Sequence, residues 1–497
     1  MAEVKQRYTE LRQTVNQYET RAERYSILTI PAVFPKDGYS DSQKMEDSLS
    51  HSLGAMAVNS LSAKIVNSLM PSASIPFKLD PDSQAMEMLT DGDSKLREEI
   101  NKMTSTQSVR INKEMEAQDM RTPLYDIVGY LQIVGSCVIE KVVGKGIRYH
   151  GLRSFGVSLD DSGNPLEIGL MEEISPRNIP EGLDIGEVDD INDTVKLYTL
   201  YQLEDSTWTM RQEINDKLID ERTYTDETLP VQYVGWSFNK GDTYHRPYCE
   251  QWRGDLNAYN QLSRVLNDGS VIASKSLLFV NPMGVTKKVH VANSLNGDVL
   301  DGRMDDVTSF QLDKNFDFKI PMERLSQLKD ILSRAFLMNS SSTRDAERVT
   351  AQEVAYMARE LESTLSGIYS KFATSITKRL VTWVMNELNI KFDTIDVNII
   401  TGLNALGKTA ESQKLDGLIQ RIVQLNAQNR LNAAEVINRY ALYEGVDPTG
   451  LFKTDSEVAQ EQKASQEQMQ EQTMMQEGAA SLGRTAGEGA GQKMTQE

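Results

Sequence analysis

Apolar residues return every three to five positions between 42 and 70, at Met45, Leu49, Leu53, Met56, Leu61, Ile65 and Leu69. That spacing predicts one apolar face of an amphipathic helix, stopped by Pro71. A longer stripe runs through Val354, Met357, Leu361, Leu365, Ile368, Phe372, Ile376, Leu380 and Val384 in steps of three or four. Thr350 and Glu353 form a capping box at its start, so a single helix is expected over 350–390, with the stripe as a packed core seam. Residues 1–26 read as a polar helix, ended at Ile30-Pro31 because the residue before proline is pushed out of helical geometry. Further helices are predicted over 84–119, 122–134, 248–277, 322–337 and 410–445, and strands over 137–143, 195–203, 208–214 and 396–401. Asn281-Pro282, Asn296-Gly297 and Asp301-Gly302 mark a mixed, turn-rich insert over 279–321, between two of these helices.

Composition narrows the class. The 497 residues are about three domains' worth of chain. A hydrophobic content of 39% supports a sizeable core and excludes chain-wide disorder. Lys plus Arg is 53 against 72 Asp plus Glu, a net charge of −19. That balance argues against a general nucleic-acid coat, which needs clustered cations for phosphate, but not against a protein that lets nucleic acid pass. Between 157 and 195, eleven acids face one basic residue, Arg177, which predicts a solvated loop or sheet edge. Cys137 and Cys249 are the only cysteines, so neither a disulfide framework nor a CxxC metal knuckle is expected. The polar N-terminus lacks a secretory core, and no apolar run approaches the ~18 residues of a bilayer span. A soluble, intracellular-type chain without membrane anchoring is expected. The Gln-rich, Gly/Ala-ending segment 454–497 reads as a frayed helix running into a disordered tail.

One string matches a catalytic pattern. Gly402-Leu-Asn-Ala-Leu-Gly407-Lys408-Thr409 is G-x-x-x-x-G-K-T, placed after a predicted strand and before a predicted helix. In a phosphate-binding loop, backbone N–H groups and the lysine hold phosphates, and the threonine hydroxyl ligates magnesium. Such a loop follows the first strand of a parallel sheet whose other strands supply a metal-binding Asp. Only helix and tail follow Thr409, so the string reads as a Gly-capped turn by chance. His51, His150, His245 and His290 form no H-x-x-x-H pair, and neither a G-x-S-x-G elbow nor a G-x-G-x-x-G fingerprint occurs. No catalytic residue, metal or cofactor is expected. The residues by themselves describe a non-enzymatic assembly protein of helical and mixed character. Two alternatives stand beside it: a nucleotide-binding protein using Gly402, Gly407, Lys408 and Thr409, and a poreless helical adaptor or scaffold.

Several runs resemble the portal, or head-to-tail connector, proteins of short-tailed bacteriophages (podoviruses). They include Tyr18-Glu-Thr-Arg-Ala22 with Tyr25, Thr29-Ile-Pro31, Phe34-Pro35-Lys36-Asp37, Gly54, and Asn59-Ser-Leu-Ser-Ala-Lys64. Gly254-Asp255-Leu256 and Val280-Asn281-Pro282-Met-Gly284 follow. The most specific is Arg348-Val349-Thr350-Ala351-Gln352-Glu353-Val354, continuing through Glu360-Leu-Glu-Ser-Thr-Leu365 to Gly367-Ile-Tyr369. The resemblance covers about residues 5–450 in order, and fits least well in the acidic stretch and the tail. The family carries a similar Gly-basic turn near 402–409 and is not nucleotidase.

The resemblance implies an α+β, mainly helical portal fold, assembled as a ring of twelve subunits at one capsid vertex. Residues 1–247 would be wing, 248–277 the first stem helix, 279–321 the clip and 322–337 the second stem helix. The tunnel loop would be 338–349, the wing helix and strand-turn 350–411, and the crown 412–453. The ring would conduct double-stranded DNA during packaging and ejection, in the virion and, during assembly, in the host cytoplasm. Its expected partners are a packaging ATPase (terminase), a tail adaptor, and scaffold, major capsid and internal core proteins. Residues expected to meet DNA are Arg334, Arg344 and Arg348 around the tunnel loop and Lys287 and Lys288 in the clip. Twelve copies would carry on the order of −230 charges, so the contact between them must bury substantial apolar area.

Overall fold

A computed structural model describes residues 3–36, 50–72, 75–81, 94–178, 194–273, 277–310, 315–338, 360–365, 367–390, 397–401 and 418–422, together with 424 and 436. Over these residues the chain is α+β and mainly helical. Helix α3 (Leu53–Leu69) is its centre. Of the predicted stripe, Leu53, Leu61, Ile65 and Leu69 are buried and Met56 is exposed, while Met45 and Leu49 lie outside the described residues; Ala57, Val58, Lys64 and Val66 are buried as well. The helix is therefore enclosed on more than one face. Small residues allow that approach: α5 (Thr122–Ile133), which follows α4 (Ser94–Ala117), lays Gln132 against it, and its Nε2 donates to Ser62 Oγ at 2.8 Å. Burying Leu61 and Ile65 completely stabilises the fold by about 2 kcal/mol each.

The N-terminal segment corrects the expectation of one polar helix. It forms α1 (Glu3–Leu11) and α2 (Val15–Leu28), parted at 12–14. Val4, Tyr8, Leu11, Val15, Tyr18, Ala22, Tyr25 and Leu28 are all buried. Tyrosines carry much of this face, and their hydroxyls conceal an apolar stripe from a simple polarity count. Helix α1 lies on a five-stranded antiparallel sheet, with Tyr8 edge-on to Tyr198 at 5.4 Å. That sheet is a meander of β4 (Phe155–Leu159), β5 (Pro165–Ile174), β6 (Val195–Glu204), β7 (Thr207–Ile214) and β8 (Lys217–Tyr224). A second sheet has β2 (Ser136–Val142) between β3 (Gly146–His150) and β9 (Val231–Gly235).

The acidic stretch meets the expectation of a loop or edge only in part. It enters the edge strand β4 and forms a turn at 160–164, but it also supplies β5, an internal strand. Glu167 there accepts from Arg7 and from Gln202, so its charge is neutralised across elements. The more acidic remainder, 179–193, lies outside the described residues.

The expected single helix over 350–390 is also corrected. From 360 onward it is interrupted at Gly367, whose φ of +88° only glycine adopts without strain. The chain restarts as α9 (Ile368–Phe372), passes a π-helical turn (Ala373–Thr377) and continues as α10 (Lys378–Glu387). Glu362 caps the restart, accepting from Ser370 N at 3.0 Å and Ser370 Oγ at 2.7 Å. The stripe nevertheless stays a core seam: Leu361, Leu365, Phe372, Ile376, Leu380 and Val384 are buried. Two strands pair where one was expected, since β12 (Val397–Thr401) runs antiparallel to β1 (Phe77–Pro81). The capping box, the predicted helix over 410–445, apart from its residues 418–422, 424 and 436, and the 454–497 tail lie outside the described residues.

Candidate functional site

The helices on either side of the turn-rich insert are α6 (Arg253–Ala273) and α8 (Asn315–Ala335), and they pack against each other. Helix α8 starts earlier than expected and runs through Pro321, which removes one internal N–H but not the helix. Between them, β10 (Leu277–Val280) and β11 (Val307–Phe310) form an antiparallel ribbon, with Leu277 opposite Phe310 and Val280 opposite Val307. The short helix α7 (Lys288–Asn293) sits beyond the ribbon.

Asp306 organises the tip. Its carboxylate accepts from Val285 N at 3.0 Å, Thr286 N at 3.1 Å and Thr286 Oγ1 at 3.0 Å, and its carbonyl accepts from Asn281 N at 2.8 Å. The Thr286 amide, followed by its hydroxyl and the Val285 amide, holds the Asp306 carboxyl below its ordinary value. Thr286 Oγ1 also receives Arg303 N at 2.8 Å, so both strands leaving the ribbon meet at one buried residue pair. A side chain at Gly284 would collide with that carboxylate, which is why the turn needs glycine there.

The outer surface of this unit is unusually apolar. Val271, Leu278 and Phe279 are more than half exposed, and Met283, Val299 and Met304 almost wholly so. The opposite side is packed into the body of the protein through Leu256, Leu328 and Leu332. Solitary exposed apolar side chains are ordinary, whereas here several fall in one helix–ribbon–helix unit.

Of the expected DNA-contacting residues, the three that are described lie at two ends of this unit. Lys287 caps the start of α7 and Lys288 opens it, both exposed at the tip. Arg334 is exposed in the last turn of α8, at the other end of the unit, where a cation also suits the helix dipole. Arg344, Arg348, Gly402, Gly407, Lys408 and Thr409 lie outside the described residues.

Strand register also gathers a group that sequence reading missed. Glu140, His150 and Glu172 each offer a ligand atom within 4.8 Å of the others. Arg148 bridges both carboxylates, at 2.8 Å to Glu140 and 2.8 Å to Glu172, and His150 Nε2 lies 2.6 Å from Glu140. Burial raises the Glu140 carboxyl, but His150 and Arg148 outweigh it and leave it below its usual range. The guanidinium already neutralises the place a metal ion would occupy. The turn at Gly144, which sets Glu140 opposite Arg148, was the one available sequence signal.

A family model for bacteriophage head to tail connecting proteins matches residues 1–451. The chain belongs to this family. Its function is accordingly that of a portal-type connector between head and tail. Similar proteins include the portal protein of Enterobacteria phage T3, 28% identical over 95% of this chain and 91% of that protein. The portal protein of Escherichia phage T7 is also 28% identical, over 91% and 89%. Among solved structures, a chain from the neck of an empty gene transfer agent particle aligns over 80% of this chain and 91% of its own, at 12% identity and a TM-score of 0.37. Such a score is too low to bear on how this chain assembles.

Proposed function

We propose that this connector closes into a ring of twelve subunits at a capsid vertex of the virion and conducts double-stranded DNA. The observation that carries the reading is the family match over nearly the whole chain, 1–451. The exposed apolar surface of α6, the ribbon and α8 supports it, because a repeated head-to-tail contact that closes must cover such a surface. On this reading 248–277 and 322–337 belong to the stem, 279–321 is the clip and 338–349 the tunnel loop. The remaining parts are wing (1–247 and 350–411) and crown (412–453).

A conduit must repel phosphate broadly and offer few cations, since each phosphate contact slows sliding. The net charge of −19 per subunit supplies the repulsion. Lys287, Lys288, Arg334, Arg344 and Arg348 are the proposed transient contacts. The clip would meet the packaging ATPase first and the tail adaptor later. Wing and crown would face scaffold, shell and internal core proteins. The connector itself does no chemistry, and the force for DNA movement comes from the separate motor.

Native mass spectrometry with low-resolution imaging of the purified full chain tests this. A ring of twelve, or of a neighbouring number, with a central hole is expected. Monomers over a range of salt, or a particle without a hole, would favour a poreless adaptor.

A further inference from the structure

Helix α8 ends in an unusual way. Met338 N donates to Ser333 O at 2.7 Å and Leu337 N to Arg334 O at 3.2 Å, the paired bonds of a Schellman turn. The residue that turns left-handed in that motif is usually glycine, but here it is Leu337, with φ +55°. A bulky residue in this region is strained and persists only when its surroundings hold it.

Leu337 is buried in the core, and a buried cation reaches its carbonyl. Lys64, in the middle of α3, is 3% exposed, and its ammonium donates to the Leu337 carbonyl at 2.5 Å. Tyr248 Oη donates to the neighbouring Ala335 carbonyl at 2.8 Å. Both donors meet the negative end of the α8 dipole. Burying an ammonium opposes folding strongly unless it is well partnered. Its desolvation lowers the Lys64 pKa, and among the described residues Glu360 opposes that shift. Glu360 Oε2 is itself buried without a hydrogen-bond partner among the described residues. One lysine of α3 thus meets the residue at which the chain leaves α8.

We propose that Lys64 is a positioning residue for the channel, pinning the left-handed turn at Leu337 to the centre of α3. The point at which the chain leaves α8 is then fixed to the protein's core by a single side chain. The consequence for DNA passage rests on reading 338–349 as the tunnel loop; the pin itself does not.

The test is hydrogen exchange on the full-length protein carrying Lys64→Met, which keeps the stem's length and loses the charge. Amides of Phe336, Leu337 and Met338 should exchange at least tenfold faster, while those within α3 and α5 stay protected. Adding Leu337→Gly should restore protection at Phe336–Met338, because glycine adopts the turn without help. Unchanged exchange in Lys64→Met would overturn the proposal. So would a uniform rise across α3, which would mark general loss of packing, or a double variant without rescue. If Lys64→Met fails to fold, a folded double variant supports the pin and a second failure overturns it. A DNA-packaging assay with a motor supplied separates the two readings. Packaging by wild-type rings that falls several-fold in Lys64→Met extends the pin to the channel. Wild-type rings that package nothing would sink the conduit reading while the exchange result still decides the pin.

Discussion

Thr401 lies opposite Phe77 in an antiparallel pair, so the strand that leads into Gly402 runs against its neighbour. A phosphate-binding loop needs the opposite arrangement, a parallel sheet whose adjacent strand ends bring an Asp beside the loop. Neither purified wild-type protein nor Lys408→Ala should release phosphate from magnesium ATP above background. Turnover that vanishes in the variant would show that the loop is functional.

The tip of the helix–ribbon–helix unit should depend on one carboxylate. Asp306→Ala removes three acceptor contacts at once, and Asp306→Asn weakens them by removing the charge. Exchange of the Val285 and Thr286 amides should accelerate in that order of severity, with α3 unaffected. The carboxyl sits below the ordinary Asp value of 3.8, so its stabilisation is complete above that value and fades as pH falls through the lower folded one. Amide exchange at Thr286, corrected for intrinsic rates, should therefore be flat from neutrality to pH 5.

Charge placed on the exposed apolar surface should separate assembly from folding. Val271→Glu and Phe279→Asp alter side chains that are 57% and 59% exposed in the protomer. Each should change protomer stability by no more than about 0.5 kcal/mol. Buried against a second copy, the same charges oppose association strongly. Native mass spectra should shift from rings to protomers, and retained rings would move the interface elsewhere.

Replacing Lys287 and Lys288 with Gln should weaken retention of short duplex DNA and make it less sensitive to salt. Each lost phosphate contact lowers the slope of log affinity against log salt by about 0.9. An unchanged slope would place both lysines away from the DNA.

A buried histidine predicts acid sensitivity. Burial, helped by the charge of Lys371 and opposed by Asp242, pushes His245 down to about 3 from 6.5. The unfolded chain therefore binds the proton first, and stability falls as pH drops below about 6.5. At pH 5 this one group costs on the order of 2 kcal/mol. His245→Gln should flatten the urea midpoint between pH 7 and 5 relative to the wild type.

Much of the fold was legible along the chain. The stripes of α3 and of 361–384 set which side chains are buried, because helical periodicity fixes which residues share a face. The turn-rich stretch marked the insert between two helices, and the motifs from Tyr18 to Tyr369 marked the family. Periodicity was blind to the break at Gly367, since steps of three and four continue across it while a single φ redirects the axis. It also took α1 and α2 for a polar helix, because tyrosines count as polar until a sheet packs on them. Only the tertiary structure decided the remaining features. The antiparallel partner of β12, the Arg148 bridge between Glu140 and Glu172, and the contact of Lys64 with Leu337 all join residues distant in sequence or across a hairpin. Local pattern records what each residue prefers, whereas the partner of a buried charge is set by which elements the chain finally brings together.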